Sequence, residues 1–447
     1  MNPNIDLKNT PILSLFISYF VPSFISMIVL STYVIVDGIF IGKGIGENGL
    51  AAVSICMPIF SFFVGLEFLF GIGGAALSGM ILGANKKYKA RVIFCSIIYF
   101  SISLAFILGV LLFIFRFEVT AFLGVNENMM EYVMPYFNVI VLGGAIILAQ
   151  YIFCSFARND RAPNLVMISF LAGSVINIIL NYIFIFVLEL GMLGASLSTI
   201  LGHLFALLIV LKHFIFKNGD LYFIKAFNIR IIFAAIKSGI PPSMGEFTFA
   251  FIIILMNVLI LKVDNESSVA VLGIIVYMIT ICFAVILAIS HGLQPIVSYN
   301  FGSKNLDRVL QAFKIGMILA FIIGALIYLV LYFCIPYIGH LFLRKDSAIL
   351  GDLIMAVRIY FLGYLLVGFN VVIGTFLQAI GKIRGAVIVS LSHNLIFMTL
   401  LLPIFAYFFG VIGIWSSFPV SLLCSLVVSY FVLKYEMKTL NLAKGLK

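Results

Sequence analysis

Charged residues are scarce in this 447-residue chain: they make up 10% of the sequence, whereas hydrophobic residues make up 64%. A soluble globular domain has about 25% charged and roughly 45–50% apolar residues. The shortage therefore excludes a soluble enzyme or binding module as the body of the protein. No polar stretch between the apolar runs is long enough to form a soluble domain of its own.

Metal-ligating and nucleophilic residues are also few and dispersed. The six cysteines lie singly in apolar runs without CxxC spacing, and His203, His291 and His393 fall in separate predicted helices. We interpret the cysteines as small buried hydrophobes and expect neither a metal centre nor a cofactor. The sequence has no phosphate-binding glycine loop, Ser-His-Asp set or zinc motif, so nothing in it favours an enzyme.

What the chain does have is long apolar runs, which recur along its whole length and indicate a polytopic helical membrane protein. The run after Met1–Thr10 follows no basic signal-peptide start, so we expect it to stay as helix 1. Each run can cross about 30 Å of hydrocarbon at ~1.5 Å per residue. The sequence predicts an all-α fold with twelve transmembrane helices at about 12–38, 50–82, 92–115, 132–157, 163–188, 191–215, 232–262, 268–299, 309–333, 353–379, 385–408 and 411–434.

The basic residues of the loops predict the orientation of these helices. With twelve spans, most of the 27 lysines and arginines fall on the face that holds both termini. By the positive-inside rule we expect a multi-pass protein of the cell inner or plasma membrane with both termini cytoplasmic. The net charge of +10 is then a signal of topology within the lipid bilayer, and it predicts no nucleic-acid partner. The opposite face has only Lys43, Arg116, Lys262, Arg344, Lys345 and Arg358.

The chain repeats itself. One constant spacing relates the pairs Pro22 and Pro241, Gly73 and Gly292, Gly83 and Gly302, Gly191 and Gly410, and Gly194 and Gly413, and also Lys89 and Arg308. Six helices return the chain to the side where it began, so the halves are predicted to be parallel repeats with a binding cavity between them. We expect two pseudo-symmetric six-helix lobes: an N-lobe at 1–215 (helices 1–6) and a C-lobe at 232–447 (helices 7–12), joined by a cytoplasmic linker at 216–231.

Asp37 is the only acidic residue between Asp6 and Glu47, and it lies near the end of the first apolar run. A carboxylate at the centre of a spanning helix costs about 2.5–3.5 kcal/mol on insertion scales. We therefore interpret Asp37 as the ion-coupling group of a transporter. Tyr33 lies one turn earlier on the same face, where it could hydrogen-bond Asp37 or line a substrate cavity.

Three polar residues of helices 5 and 6 could complete this site. Asn177 and Asn181 are four residues apart and share one face of helix 5, and Thr199 opens helix 6. With Asp37 they offer one carboxylate, two amide oxygens and a hydroxyl, which suit either a proton or a Na⁺ ion. The alternative is that these amides and the hydroxyl only join helices to one another.

Two further acidic residues lie in apolar runs. Glu67 and Glu246 should each face a cavity or a partner, and a cavity lined by carboxylates favours cationic amphiphiles. In the alternative interpretation Glu67 forms a structural pair and Glu246 lies near the interface or pairs with Lys237. Five amide side chains also lie within the apolar runs: Gln150, Asn257, Gln294, Asn370 and Gln378. We expect most of them to form hydrogen bonds between helices. Gln150 and Asn370 are also candidates for lining the substrate cavity.

Several motifs, in order and spacing, make the whole chain resemble the multidrug and toxic compound extrusion (MATE) family of bacterial type. The resemblance rests on VDGIFIG at 36–42, the glycines at 73, 74 and 83, FARNDRAP at 156–163, NIILNY at 177–182, QP at 294–295, NFG at 300–302, QAIGK at 378–382 and GVIGIW at 410–415. It implies a monomeric antiporter that exports cationic or amphipathic drugs and toxic compounds by alternating access between two lobes, driven by inward H⁺ or Na⁺.

The resemblance also implies roles for particular residues. The family's N-lobe cation site, which could hold Na⁺, matches Asp37, Asn177, Asn181 and Thr199, and its kink-forming proline matches Pro22 as a hinge. Many relatives have an aspartate where Asn181 stands, so the missing carboxylate favours H⁺ over Na⁺.

The family's second cation site is not expected in this chain. Glu246 matches that C-lobe site only roughly, and helix 10 has Asn370 in place of an internal carboxylate. A lipid-linked oligosaccharide flippase of the same superfamily is the alternative function. Such flippases commonly line their cavity with Arg and Lys, whereas the interior ionisable residues here are acidic.

Overall fold

The computed structural model describes residues 6–264, 266–342 and 349–439. Within these ranges the chain forms helices and no strand, as the apolar runs predict. The first ten membrane helices are α1 (Ile12–Gly44), α2 (Glu47–Gly83), α3 (Lys87–Ile114), α4 (Glu127–Asn159), α5 (Pro163–Val187), α6 (Gly191–Ile215), α7 (Ile229–Val263), α8 (Glu266–Gly302), α9 (Leu306–Phe342) and α10 (Leu350–Ala379).

The last apolar stretch, Ile383–Thr439, contains two helices. Gly410 interrupts it with φ 59° and ψ −142°, a conformation that is essentially restricted to glycine. The chain folds tightly there, since a Cβ on Gly413 would lie 1.9 Å from the carbonyl oxygen of Phe405. We therefore divide the stretch into α11 (383–409) and α12 (411–439). The described part of the chain thus has twelve membrane helices, which confirms the predicted architecture.

Several helices extend beyond their predicted limits. The chain is already helical at Glu127, because the side chain of Asn126 accepts a hydrogen bond from the backbone N–H of Met129 at 3.0 Å and caps α4. A short helix, Arg116–Phe122, between α3 and α4 was not predicted. Hydropathy detects only the part of a helix that crosses hydrocarbon, whereas capping extends the helix into the interface. Among the loop charges used for orientation, Arg344, Lys345, Lys444 and Lys447 lie outside the described residues.

Four helices contain turns that are not α-helical. The hydrogen-bonding pattern widens to a π-helix at Phe68–Ile72 in α2, Tyr182–Val187 in α5 and Ser392–Ile396 in α11, and it tightens to a 3₁₀ turn at Phe361–Gly363 in α10. π-helical turns are rare and often occur at functional sites. The one in α5 begins directly after Asn181. The π-helical turn of α11, the matching helix of the second half, lies at a different place along its helix.

The chain forms two compact units. The first contains Val21–Ser243 together with the residues before Pro11, and the second contains Pro11–Phe20 and the chain from Met244 onwards. The boundary therefore falls once inside α1, next to Pro22, and once inside α7. The lobe limits at 215 and 232 remain a prediction.

Hydrogen bonds hold the segment between α6 and α7 against the first unit. The buried carboxylate of Asp160 accepts the backbone N–H groups of Asp220 at 2.8 Å and Leu221 at 3.1 Å, and it lies 2.9 Å from Nε2 of His213. A Cβ on Gly219 would lie 2.0 Å from an oxygen of Asp160, so the backbone passes directly over this carboxylate. These bonds explain why the segment belongs to the first unit.

The start of α7 also packs closely on α2. A Cβ on Gly239 would lie 2.0 Å from the carbonyl oxygen of Leu69, and one on Gly73 would lie 2.3 Å from that of Ala235. Small residues allow membrane helices to approach this closely, because helix association in lipid depends on van der Waals contact. The glycines at 73 and 239 therefore fix the beginning of α7 to the first unit.

We predict that Asp160→Ala destabilises the first unit. It removes the acceptor of two backbone donors, the buried N–H of Leu221 and the part-buried N–H of Asp220, and a buried donor left without an acceptor costs about 1–3 kcal/mol. The expected result is a lower midpoint of thermal unfolding in detergent and faster proteolytic cleavage within 216–228. Asp220→Ala is the matched control, because its carboxylate pairs with the well-exposed Lys87 and Arg161, and such pairs contribute about 0–1 kcal/mol. Equal stability of both variants would contradict this assignment.

Candidate functional site

The packing of α5 against α6 determines the position of the site's amides. A Cβ on Gly173 would lie 2.8 Å from the carbonyl oxygen of Gly202, and one on Gly202 would lie 2.9 Å from that of Gly173. Glu189 (φ 53°) and Gly191 (φ 55°) form the turn between the two helices. This turn and the two facing glycines bring the polar residues of α5 and α6 together.

Asp37 lies in α1 with 7% of its surface exposed, and Asn181 contacts it directly. Nδ2 of Asn181 donates to Oδ1 of Asp37 at 2.6 Å and to Oδ1 of Asn177 at 3.1 Å. Oδ1 of Asn181 accepts from the hydroxyl of Ser198 at 2.6 Å. All four side chains are buried. The structure thus brings together Asp37, Asn177 and Asn181, and these bonds define the orientation of the Asn181 amide.

Thr199 lies beside this cluster. Its hydroxyl donates to the carbonyl oxygen of Ala195 at 3.1 Å. The side chain of Thr199 also lines a small cavity in the first unit, which has room for a water molecule. The residues around this cavity include Tyr33, Gln150, Asn177, Thr199 and His203.

Two residues of this region were not predicted as functional. Ser198, next to the predicted Thr199, provides the hydroxyl that reaches Asn181, because α6 turns that face towards α5. His203 lies on the cavity wall, with Nδ1 3.3 Å from Oε1 of Gln150. The proximity of Ser198 to Thr199 in the sequence was a usable signal. The sequence gives no such signal for His203, because the role of a single histidine in an apolar helix depends on its neighbours in space.

The environment of Asp37 is electrically neutral. The ion pairs among the described side chains are those of Lys87, Arg161, His213 and Lys382, and none includes Asp37. No group of three or more His, Cys, Asp or Glu side chains in the described ranges could hold a metal ion. Binding or loss of one positive charge at Asp37 therefore changes the local charge by a full unit in a medium of low dielectric constant.

The remaining predicted residues lie in other places. Oε1 of Glu67 accepts from the buried hydroxyl of Ser155 at 2.7 Å, as the structural-pair interpretation expects, and Glu67 is not among the residues that line the cavity beside Asp37. Glu246 is half-buried in the second unit. It takes part in none of the ion pairs found among the described residues, so the pairing with Lys237 is not observed.

Asn370 and Pro22 are also away from the Asp37 cluster. Oδ1 of Asn370 accepts from Ser429 at 2.7 Å and from Ser425 at 3.2 Å, which joins α10 to α12 as an interhelical hydrogen-bonder does. Pro22 lies within the continuous helix α1, where its carbonyl oxygen accepts from the hydroxyl of Ser26 at 2.7 Å.

A family model described as MatE matches this chain twice, at residues 22–183 and 241–404. The two matches begin at Pro22 and Pro241, which are one of the pairs in the sequence repeat. Two matches of a single model, one in each half, are what an internal repeat requires.

Known proteins resemble the chain over nearly its full length. The multidrug export protein MepA of Staphylococcus aureus strain MRSA252 is 27% identical over 434 residues, which cover 95% of this chain and 94% of MepA. MepA of Staphylococcus saprophyticus is 27% identical over 92% of this chain and 91% of its own.

Solved structures show the same fold. A crystal structure of MATE in complex with MaL6 aligns with a TM-score of 0.92 at 22% identity, over 98% of this chain and 99% of that one. An outward-facing multidrug resistance MATE family transporter aligns with a TM-score of 0.88 at 22% identity, over 97% of this chain and 98% of that one. The chain belongs to the MatE family and has the multi-pass fold of the solved MATE transporters.

Proposed function

We propose that this transporter exports cationic or amphipathic compounds in exchange for protons, and that Asp37 is the coupling group. The observation that carries the proposal is the buried carboxylate of Asp37, which accepts a 2.6 Å hydrogen bond from the neutral amide of Asn181. A carboxylate in such surroundings can bind either a proton or a cationic substrate. Competition between the two at one group gives exchange without further machinery.

The hydrogen bonds of the site favour a proton over Na⁺. A hard cation needs several oxygens directed at one point. Here the amide nitrogen of Asn181 faces Asp37, while its oxygen accepts from Ser198. The oxygen of Asn177 accepts from Asn181, and the hydroxyl of Thr199 donates to Ala195. Asp37 thus faces a donor where a Na⁺ site would require an acceptor.

Alternating access would involve a change in α1. Proline lacks the N–H that completes the helical hydrogen bond, so Pro22 is a weak point in this helix. The boundary between the two compact units also falls between Phe20 and Val21. A helix that contributes to both units and contains Asp37 can couple the state of this carboxylate to the rearrangement, with Pro22 as the hinge.

The further roles that we propose follow the sequence. Both termini are cytoplasmic, the lobes are 1–215 and 232–447, and a monomer is sufficient for transport. Glu67, Glu246 and Asn370, together with Tyr33 and Gln150, contact the substrate during the cycle. One proton that enters down a difference of one pH unit supplies about 1.4 kcal/mol, which supports a tenfold gradient of the exported compound.

We predict that Asp37→Asn abolishes ethidium efflux driven by a pH step in proteoliposomes, because the amide can bind neither a proton nor a cation by charge. The rate should fall to that of protein-free vesicles. Glu118→Gln, which removes an exposed carboxylate of the short helix, is the matched control and should retain the wild-type rate. Wild-type efflux by Asp37→Asn would exclude Asp37 as the coupling group.

A second prediction separates protons from Na⁺. A Na⁺ pulse at constant pH should drive no efflux by the wild type, whereas Asn181→Asp should gain Na⁺-driven efflux. In the wild type the side chain of Asn181 lies 2.6 Å from that of Asp37, so the substitution places a second carboxylate next to the first. Two adjacent carboxylates favour a bound cation.

Asn257→Asp is the control for this prediction, because it introduces the same change in α7 of the second unit and should not confer a response to Na⁺. Na⁺-driven efflux by the wild-type protein would contradict the assignment of the proton as the coupling ion.

A further inference from the structure

The hydrogen bonds beside Asp37 form one chain with a definite direction. An amide side chain has a donor end and an acceptor end. Asn181 directs its acceptor at Ser198 and its donor at both Asp37 and Asn177. Asn177 uses its acceptor for Asn181, so its donor, Nδ2, is left at the end of the chain. This buried nitrogen has no hydrogen-bond partner in the described structure.

This direction suits an ionised Asp37, because a carboxylate can only accept hydrogen bonds. Once protonated, Asp37 can carry an O–H that needs an acceptor, and the donor end of Asn181 does not provide one. When the proton is on Oδ1, the oxygen that now accepts from Asn181, two donors face each other, and the side chain of Asn181 turns so that its oxygen faces Asp37.

The rest of the chain can reverse with Asn181 without losing a bond. After the turn, Nδ2 of Asn181 donates to Oγ of Ser198. The hydroxyl of Ser198 then donates to the carbonyl oxygen of Ala195, which already lies 2.7 Å away. Asn177 turns as well: its Nδ2 donates to Oδ1 of Asn181, and its own oxygen becomes the free end. Both directions keep the bonds between neighbouring members and leave one end of the Asn177 amide free, so the chain has two states.

The free end of the chain lies on the cavity that His203 also lines. Nε2 of His203 is a second buried nitrogen without a hydrogen-bond partner in the described structure, and Nδ1 lies 3.3 Å from Oε1 of Gln150. This arrangement places the proton of a neutral ring on Nδ1 and makes Nε2 an acceptor. A water in the cavity can donate to Nε2 of His203 and accept from Nδ2 of Asn177.

We propose that Ser198, Asn181 and Asn177 form a reversible hydrogen-bond relay, which couples protonation of Asp37 to the position of the proton on His203 through a water in this cavity. In the reversed direction Asn177 presents an oxygen, the water donates to it, and the water accepts from an N–H at Nε2 of His203. The imidazole obtains that proton either from the bulk, as imidazolium, or by a change of tautomer in which Gln150 turns its amide towards Nδ1.

His203 is thus a positioning residue that acts through the relay, and its role rests on the proposed protonation of Asp37. Other titratable groups are close to both ends. Tyr136 of α4 is within electrostatic range of Asp37, Tyr33 and Cys56. The ring of His203 lies 6.4 Å from that of Tyr33 and 5.7 Å from that of Tyr151. On the side of His203 that faces Gln150, the amide of Gln150 contacts Cys154. Arg158 lies near Tyr151.

The test follows both ends of the relay in one preparation of the full-length protein. The infrared band of a protonated carboxyl, assigned by its loss in Asp37→Asn, reports Asp37. Nitrogen NMR of ¹⁵N-histidine-labelled protein, assigned by the signal lost in His203→Gln, reports which nitrogen of His203 carries the proton. In the wild type we expect the His203 signals to change at the pH at which the Asp37 band appears.

Asn177→Leu and Asn177→Ala should uncouple the two ends, so that the Asp37 band still titrates while the His203 signals no longer follow it. Two variants of different size guard against loss of the fold, which gel filtration checks. Asn394→Leu is the matched control, since it removes an amide from α11 of the second unit and should leave the coupling intact.

His203 signals that stay constant while the Asp37 band titrates in the wild type would overturn the relay and leave proton coupling at Asp37 standing. Coupling that persists in both Asn177 variants would also overturn the relay. An Asp37 band that never appears over the pH range of stable protein would contradict the relay and the proposed protonation of Asp37 together.

Discussion

The hydrogen bond between Asn181 and Asp37 is the interaction on which the candidate site of the first unit depends. It is the contact by which a neutral side chain stabilises a carboxylate that has no ion-pair partner among the described residues. A buried charge without such a bond is very costly, because low dielectric surroundings weaken its solvation. The bond requires α1, α5 and α6 to place Asp37, Asn181 and Ser198 next to one another.

Close helix packing makes that bond possible. The facing glycines Gly173 and Gly202 let α5 and α6 approach until backbone meets backbone, which places Asn177 and Asn181 against the hydroxyl face of α6. In lipid, such packing contributes more to helix association than apolar burial does, since the solvent is itself apolar. The glycines therefore determine where the polar side chains lie. A larger residue at Gly173 or Gly202 would displace Asn177 and Asn181 although neither asparagine is itself substituted.

The two halves share an architecture but differ in their polar interiors. The first contains a carboxylate at the centre of its buried network. In the second, the amide of Asn370 bonds to neutral groups of α12, which are the hydroxyls of Ser425 and Ser429 and the carbonyl oxygen of Leu422. The two halves thus share their helices, while the buried carboxylate of Asp37 with its amide partner lies in the first half and the half-buried Glu246 lies in the second. This asymmetry is consistent with coupling at a single site in the first half.

The sequence by itself determined the membrane class, the twelve helices and the repeat, and it singled out Asp37, Asn177 and Asn181, which the structure brings together. Hydropathy, spacing and the cost of a charge in lipid are local properties that can be read from neighbouring residues. Only the tertiary structure decided which hydroxyl reaches Asn181, that Glu67 pairs with Ser155, and that His203 lies on a cavity shared with Asn177. These contacts join residues on different helices, and their geometry depends on how closely those helices pack and on which way each face is turned.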